Sequence, residues 1–346
     1  MAQINKPNLH VNTKLYTGNG VDNTAQTGVG FKPDWLWIKS RSSGSYDHMV
    51  FDSTRGVTKV IRPNQTNAEG TDSSNLASFD SDGFTLKTGG YVNGNGSTFA
   101  AWNWKANGGT TSSNSDGSIT TTIQANTTAG FSIISYTGTG SAASIGHGLG
   151  AVPKFIIIKR LDSTASWPCY HSTQGNGTSI LLNSNNASYN SGNWNSTTPT
   201  SSIISLGGGG IDANISGATY IAYCFAAING YSSFGSYTGN ESTDGIFVYT
   251  GFKPGLILIK KSSSSSNQNW RIIDNKRLGY NPKNHPLYPS AQSSEGTSET
   301  TVDFVSTGFK LRGTGGAINS NGTNFIYMAF AETPMVGTNN VPTTAR

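Results

Sequence analysis

A short apolar run behind a proline is the strongest hydrophobic pattern in the chain, and it is written three times. It reads Phe31-Lys32-Pro33-Asp34-Trp35-Leu36-Trp37-Ile38-Lys39, then Val152-Pro153-Lys154-Phe155-Ile156-Ile157-Ile158-Lys159, then Phe252-Lys253-Pro254-Gly255-Leu256-Ile257-Leu258-Ile259-Lys260. Proline has no N–H to give to a sheet ladder, so it suits the first position of a strand. The residues that follow are β-branched and aromatic on both alternating faces, which predicts a central strand covered on both sides. Trp35 and Trp37 share one of those faces, because side chains alternate with period two.

Other signals recur around each run. Tyr16-Thr17-Gly18-Asn19-Gly20, Tyr136-Thr137-Gly138-Thr139-Gly140 and Tyr237-Thr238-Gly239-Asn240 precede it and open each repeat, the Asn-Gly of the first being a hairpin signal. Asp52-Ser53-Thr54-Arg55, His171-Ser172-Thr173-Gln174 and Asp274-Asn275-Lys276-Arg277 follow it and end a further strand. Asn93, Asn214 and Asn319 precede closing strands in which small residues sit beside aromatics, as in Phe99-Ala100-Ala101-Trp102-Asn103-Trp104. Such alternation suits close packing between facing sheets. The expected fold is all-β: three tandem antiparallel β-sandwich repeats of jelly-roll type. The boundaries are an extended arm at 1–14, repeats at 15–106, 131–229 and 230–334, a Gly/Ser/Thr-rich linker at 107–130 that contains a polar β-prone run from Ser118 to Gln124, and a tail at 335–346. The short joint Asn229-Gly230-Tyr231-Ser232 predicts a fixed contact between the second and third repeats.

Composition agrees with this reading. Charged residues are only 12% of the 346, glycine supplies 43 positions, and aromatics at 10% argue against disorder. The net charge of +5 is spread without a Lys/Arg block, so no nucleic-acid groove is expected. The first residues lack the apolar core of a secretory signal, and no apolar run is long enough to insert in a membrane as a helix. Cys169 and Cys224 read either as two reduced core thiols or as one disulfide.

Catalytic chemistry finds no foothold in the sequence. The five glutamates form no short paired motif of the kind a glycosidase needs. Asp80 and Asp82, beside Gly83, read as a polar turn rather than a calcium loop. His10, His48, His147, His171 and His285 have no zinc-binding spacing, and no nucleophile-elbow motif is present. No catalytic residue, metal site or cofactor is therefore assigned. Asp52 with Arg55 and Asp274 with Arg277 read as structural ion pairs, a pattern that His171 and Gln174 break in the second repeat. The remaining binding chemistry is aromatic: Tyr189, Trp194 and Tyr231 lie in or near Gly/Asn/Ser-rich stretches, where a ring face stacks on a sugar or plugs a loop onto its sandwich.

Several segments taken in order resemble a known family. They are Ile4-Asn5-Lys6-Pro7, Leu15-Tyr16-Thr17-Gly18-Asn19-Gly20, Gly28-Val29-Gly30-Phe31-Lys32-Pro33-Asp34-Trp35, Ala101-Trp102-Asn103-Trp104-Lys105-Ala106 and Val341-Pro342-Thr343-Thr344-Ala345-Arg346. Together they resemble repeat-containing virion structural proteins, tail-fibre-like or concanavalin-like, of marine bacteriophages such as cyanophages and pelagiphages. The resemblance implies a non-enzymatic protein on the particle surface, made in the host cytoplasm without a signal peptide. A fibre head or knob and a capsid decoration both fit; a carbohydrate-binding receptor module is the rival reading, and a polysaccharide depolymerase ranks behind it. The implied partners are other virion proteins of capsid, tail or collar, further copies of this chain, and host surface polysaccharide. The arm and tail are expected to carry the contacts with neighbours.

Overall fold

Each proline run folds as a strand: Trp35–Ser40, Pro153–Arg160 and Pro254–Lys261. The structure is a computed structural model and describes residues 4–209, 212–263, 267–297 and 301–333. Every proline strand lies antiparallel between a closing strand and a companion strand. The closing strands are Thr98–Trp104, Thr219–Ala226 and Asn324–Ala331, and the companions are Met49–Asp52, Pro168–His171 and Arg271–Asp274. An opening strand flanks each closing strand: Val11–Thr17, Phe131–Thr137 and Ser232–Thr238. A smaller antiparallel sheet packs over each of these larger ones. Thr24–Thr27, Gly83–Leu86 and Leu76–Asp80 form the first, Ala143–Gly146 with Ile203–Leu206 the second, and Phe247–Tyr249, Gly308–Leu311 and Val302–Val305 the third. The fold is an all-β arrangement of antiparallel sandwiches, and each sheet pair is one unit below.

The two faces of the proline strands go to different cores. Leu36 and Ile38, Ile156 and Ile158, and Ile257 and Ile259 pack inside their own sandwiches. Trp35 and Trp37, Phe155 and Ile157, and Leu256 and Leu258 face outward into one core that all three units share. An antiparallel sheet usually leaves one face to water. Here the far face is covered by the neighbouring units, which is why the strand needs no polar alternation. Trp104, Phe225 and Phe330, at matching places in the closing strands, meet at the centre with ring centroids 6.4, 6.1 and 5.8 Å apart. Trp35 adds to this cluster, stacking on Tyr223 of the second unit at 4.7 Å.

The recurring small motifs are clamps within units. Tyr16, Tyr136 and Tyr237 donate their hydroxyls to the carbonyls of Val92, Ala213 and Ile318, at 2.7, 2.7 and 2.8 Å. Each ring stacks on the first aromatic of its closing strand. Two residues on, a Cβ at Gly18, Gly138 or Gly239 would run into the carbonyl oxygen of Gly94, Ile215 or Ser320. Asn93, Asn214 and Asn319 are fully buried. Each donates to two carbonyls of separate loops and accepts one backbone N–H.

Two boundary expectations are corrected. The stretch 107–130 is no free linker. Thr121–Asn126 pairs onto the opening strand of the second unit and Ser112–Asn114 pairs onto Thr121–Asn126, extending that sheet to eight strands. The buried Thr121 and Gln124 are polar because they bond neighbouring loops. The arm at 1–14 is also no loose extension: Ile4 and Val11 are buried in the shared core, and Val11 already belongs to the opening strand. The tail at 335–346 lies outside the described residues.

Candidate functional site at the junctions between units

The polar residues that recur in the sequence converge where the units meet. The residue two places after each proline-strand lysine offers its carbonyl to a backbone N–H of another unit. Glu69 N–H donates to Leu161, Ser188 to Ser262, and Glu295 to Arg41, at 2.8, 3.1 and 2.9 Å. The order runs first to second, second to third, third to first, so the set closes a ring. A side chain just before each companion strand repeats the pattern in the reverse sense. Trp167 Nε1 donates to Gln65 O at 2.9 Å, Trp270 Nε1 to Leu181 O at 2.8 Å, and His48 Nε2 to Tyr288 O at 2.8 Å. His48 accepts the Trp37 indole N–H at Nδ1, which leaves the proton on Nε2. Burial lowers its pKa well below the ordinary imidazole value, so the ring stays neutral.

The ion pairs at the companion-strand ends belong to the same ring. Asp52 binds Arg55, which also reaches Glu69, while the Tyr223 hydroxyl of the second unit donates to Asp52 at 2.7 Å. Asp274 binds Arg277, which reaches Glu295, and the Trp102 indole of the first unit donates to Asp274 at 3.0 Å. Burial alone would raise the Asp274 carboxyl, but Arg277 and the N–H donors hold it below its usual value. The junction between the second and third units has Met328 where Tyr223 and Trp102 stand, and methionine has no donor. There His171 replaces the aspartate and donates from Nε2 to the Tyr327 carbonyl at 3.1 Å. Acid, arginine and glutamate are thus exchanged together for His171, Gln174 and Ser188, which answers the exception seen in sequence.

Two of the three proline-strand lysines complete junctions. Lys159 donates to Thr66 O and Ala165 O, and Lys260 to Asn185 O and Gln268 O, each bridging two units. Lys39 donates to Ser40 O and Ser43 O within its own unit. Burial pulls Lys39 and Lys159 down to about 8 and Lys260 to about 7.

One junction is open. Between the third and first units lies a cavity of about 190 Å³, bounded by Val11, Asn12 and Thr13 on one side and Asn275 and Lys276 on the other. The matching place between the first and second units is filled by Gln124, which donates to Ser53 Oγ at 3.0 Å and Thr54 Oγ1 at 2.7 Å. Ser53 and Thr54 hold the positions of Asn275 and Lys276. Thr13 stands where the second unit has Ile133, and Gly255 where the other units have Asp34 and Lys154, so less side chain fills the gap.

The aromatic candidates do not come together. Trp194 is fully buried, donates to Thr178 O at 2.9 Å and packs against Tyr170. Tyr231 is 1% exposed and meets His10 and Phe330. Both plug loops, as hydrophobic rings do even in a Gly/Asn/Ser-rich stretch, and neither offers a face to a sugar. Tyr189 is 38% exposed. The larger exposed rings are Phe247, Tyr249 and Tyr280 at 47, 68 and 70%. Sequence reasoning passed over them, although the Phe247-Val248-Tyr249 alternation was a signal of two rings on one outward face.

Cys169 and Cys224 are free and buried. Cys169 belongs to the shared core and Cys224 to the inner core of the second unit, on opposite faces of one sheet, and burial pushes both thiols up. Asp82 accepts the N–H groups of Gly30 and Gly28, and Asp80 accepts the hydroxyls of Ser78 and Thr85, so the two carboxylates brace a turn. Among the described residues no three His, Cys, Asp or Glu side chains gather as metal ligands, and no helix is long and apolar enough to cross a membrane.

No curated protein and no solved structure matches the chain. A family described as a domain of unknown function (DUF7483) matches residues 6–334, nearly the full length and all three units. The chain belongs to that family.

Proposed function

We propose that this chain is a non-enzymatic structural protein of a virion, carried on the particle surface as a fibre head or a capsid decoration. The observation that supports the reading is the closed ring of junction contacts. Its recurring polar residues bond carbonyls, backbone N–H groups and one another across units, and so serve to hold three sandwiches around one core. A rigid, lightly charged block with turn-rich edges suits display on a particle. Proteomics and single-particle reconstruction of purified particles from the source of the gene test it. The expected result is a fixed copy number per particle and external density matching the three-unit ring. Its absence from purified particles would contradict the proposal.

Carbohydrate recognition is a second reading, favoured by one observation. Phe247 and Tyr249 project from the same face of an edge strand in the third unit, where the first unit has Ala25 and Thr27. Two exposed rings on one face make a stacking platform for a sugar. A glycan-binding screen with Tyr249→Ala as the control tests this; no glycan whose binding depends on Tyr249 would remove it.

A further inference from the structure

The three units differ in what lies beside their opening strands. In the second unit Thr121–Asn126 pairs along Phe131–Thr137, with Gln124 opposite Ile133. Among the described residues, Val11–Thr17 of the first unit pairs only with its closing strand. Lys105 N–H donates to His10 O. Antiparallel alternation therefore turns the N–H and C=O groups of Val11, Thr13 and Leu15 to the other side. The cavity between the third and first units opens along that edge at Val11, Asn12 and Thr13. On its wall the Asn8 Oδ1 atom is buried without a hydrogen-bond partner.

We infer that the Val11–Thr17 edge, with this cavity, is a docking site for an extended strand from a partner protein, one that places a glutamine or asparagine opposite Thr13. The chain itself supplies the template, since the inserted strand fills the equivalent place at the first junction and sets Gln124 against Ser53 and Thr54. A carboxamide suits the open counterpart, because Asn275, whose amide nitrogen donates to Glu332, leaves an acceptor oxygen, and Lys276 carries donors. Backbone pairing supplies affinity and the cavity supplies selectivity, as in other cases of strand addition. The third unit's opening strand differs in having the larger Phe234 in the place of Thr13, packed against the shared core. This site follows from geometry alone and stands whether or not the protein is part of a virion.

A labelled peptide with the sequence of residues 118–127 is the probe, titrated against the full-length protein with amide hydrogen exchange as a second readout. Expected are saturable one-to-one binding and slowed exchange at the Thr13 and Leu15 amides. Thr13→Pro removes one outward donor and no internal sheet bond, and Asn275→Trp fills the cavity. Each should weaken binding at least tenfold at unchanged melting temperature, as should leucine in place of the peptide's glutamine. Should Thr13→Pro not fold, Asn275→Trp decides alone. No binding, binding indifferent to Asn275→Trp, or a Thr13 amide already protected in the free protein would overturn the assignment. Self-association blocked by the same substitutions would replace the partner by a second copy and overturn that part of it.

Discussion

A buried asparagine that donates twice and accepts once has no apolar substitute. Asn93, Asn214 and Asn319 each tie the turn after an opening strand to the loop before a closing strand. Asn214→Leu leaves the Ser141 and Gly207 carbonyls and the Thr139 N–H without partners. It should cost about 1–3 kcal/mol or more, read from urea unfolding. The proline-strand lysines make a different prediction. Lys39, Lys159 and Lys260 titrate at about 8, 8 and 7 when folded, against about 10.4 in an unfolded chain. Between those values the unfolded chain binds more protons, so stability rises with pH across roughly 7 to 10. Burial holds His171 at about 4, which adds a rise between about 4 and 6.5. Above about 10 the sign reverses, because burial raises Tyr16, Tyr136, Tyr223 and Tyr237. The melting temperature should therefore peak near pH 9–10; a peak at pH 6–7 would contradict the lysine assignment.

Among the elements, the companion-strand ends and the proline strands bear most on stability. Arg55→Met strands the buried Asp52 carboxylate and should cost about 3–5 kcal/mol. Trp37→Ala opens a hole in the shared core and should cost a similar ~3–5 kcal/mol. Thermal melts of the two variants check both. These elements were legible in the sequence because proline, apolar alternation and the Asn and Tyr-Thr-Gly motifs act locally and leave a period. The double-sided apolar strand announced that both faces are covered, but what covers the outer face is set by neighbours more than a hundred residues away. The inserted strands were legible only in part, since Ser118 to Gln124 reads as a polar β-prone run while Ser112–Asn114 does not stand out. An edge hairpin of Ser, Thr and Asn gets its order from the strand it joins, and its composition is that of a linker. Trp194 and Tyr231 take the loop-plugging alternative, since a polar stretch still buries its one large ring.

At the level of the whole molecule, the shared core decides how the units behave. Trp35, Trp37, Trp102 and Trp104 form an apolar face on the first unit that only the other two units cover. An isolated unit would expose it, and large exposed apolar faces drive aggregation. The ring should therefore unfold as one body. Differential scanning calorimetry of the full chain tests this most directly. A single transition with calorimetric and van't Hoff enthalpies in agreement is the predicted result. Resolved transitions for separate units, or residues 131–229 melting alone as a soluble monomer at the temperature of the full chain, would contradict it.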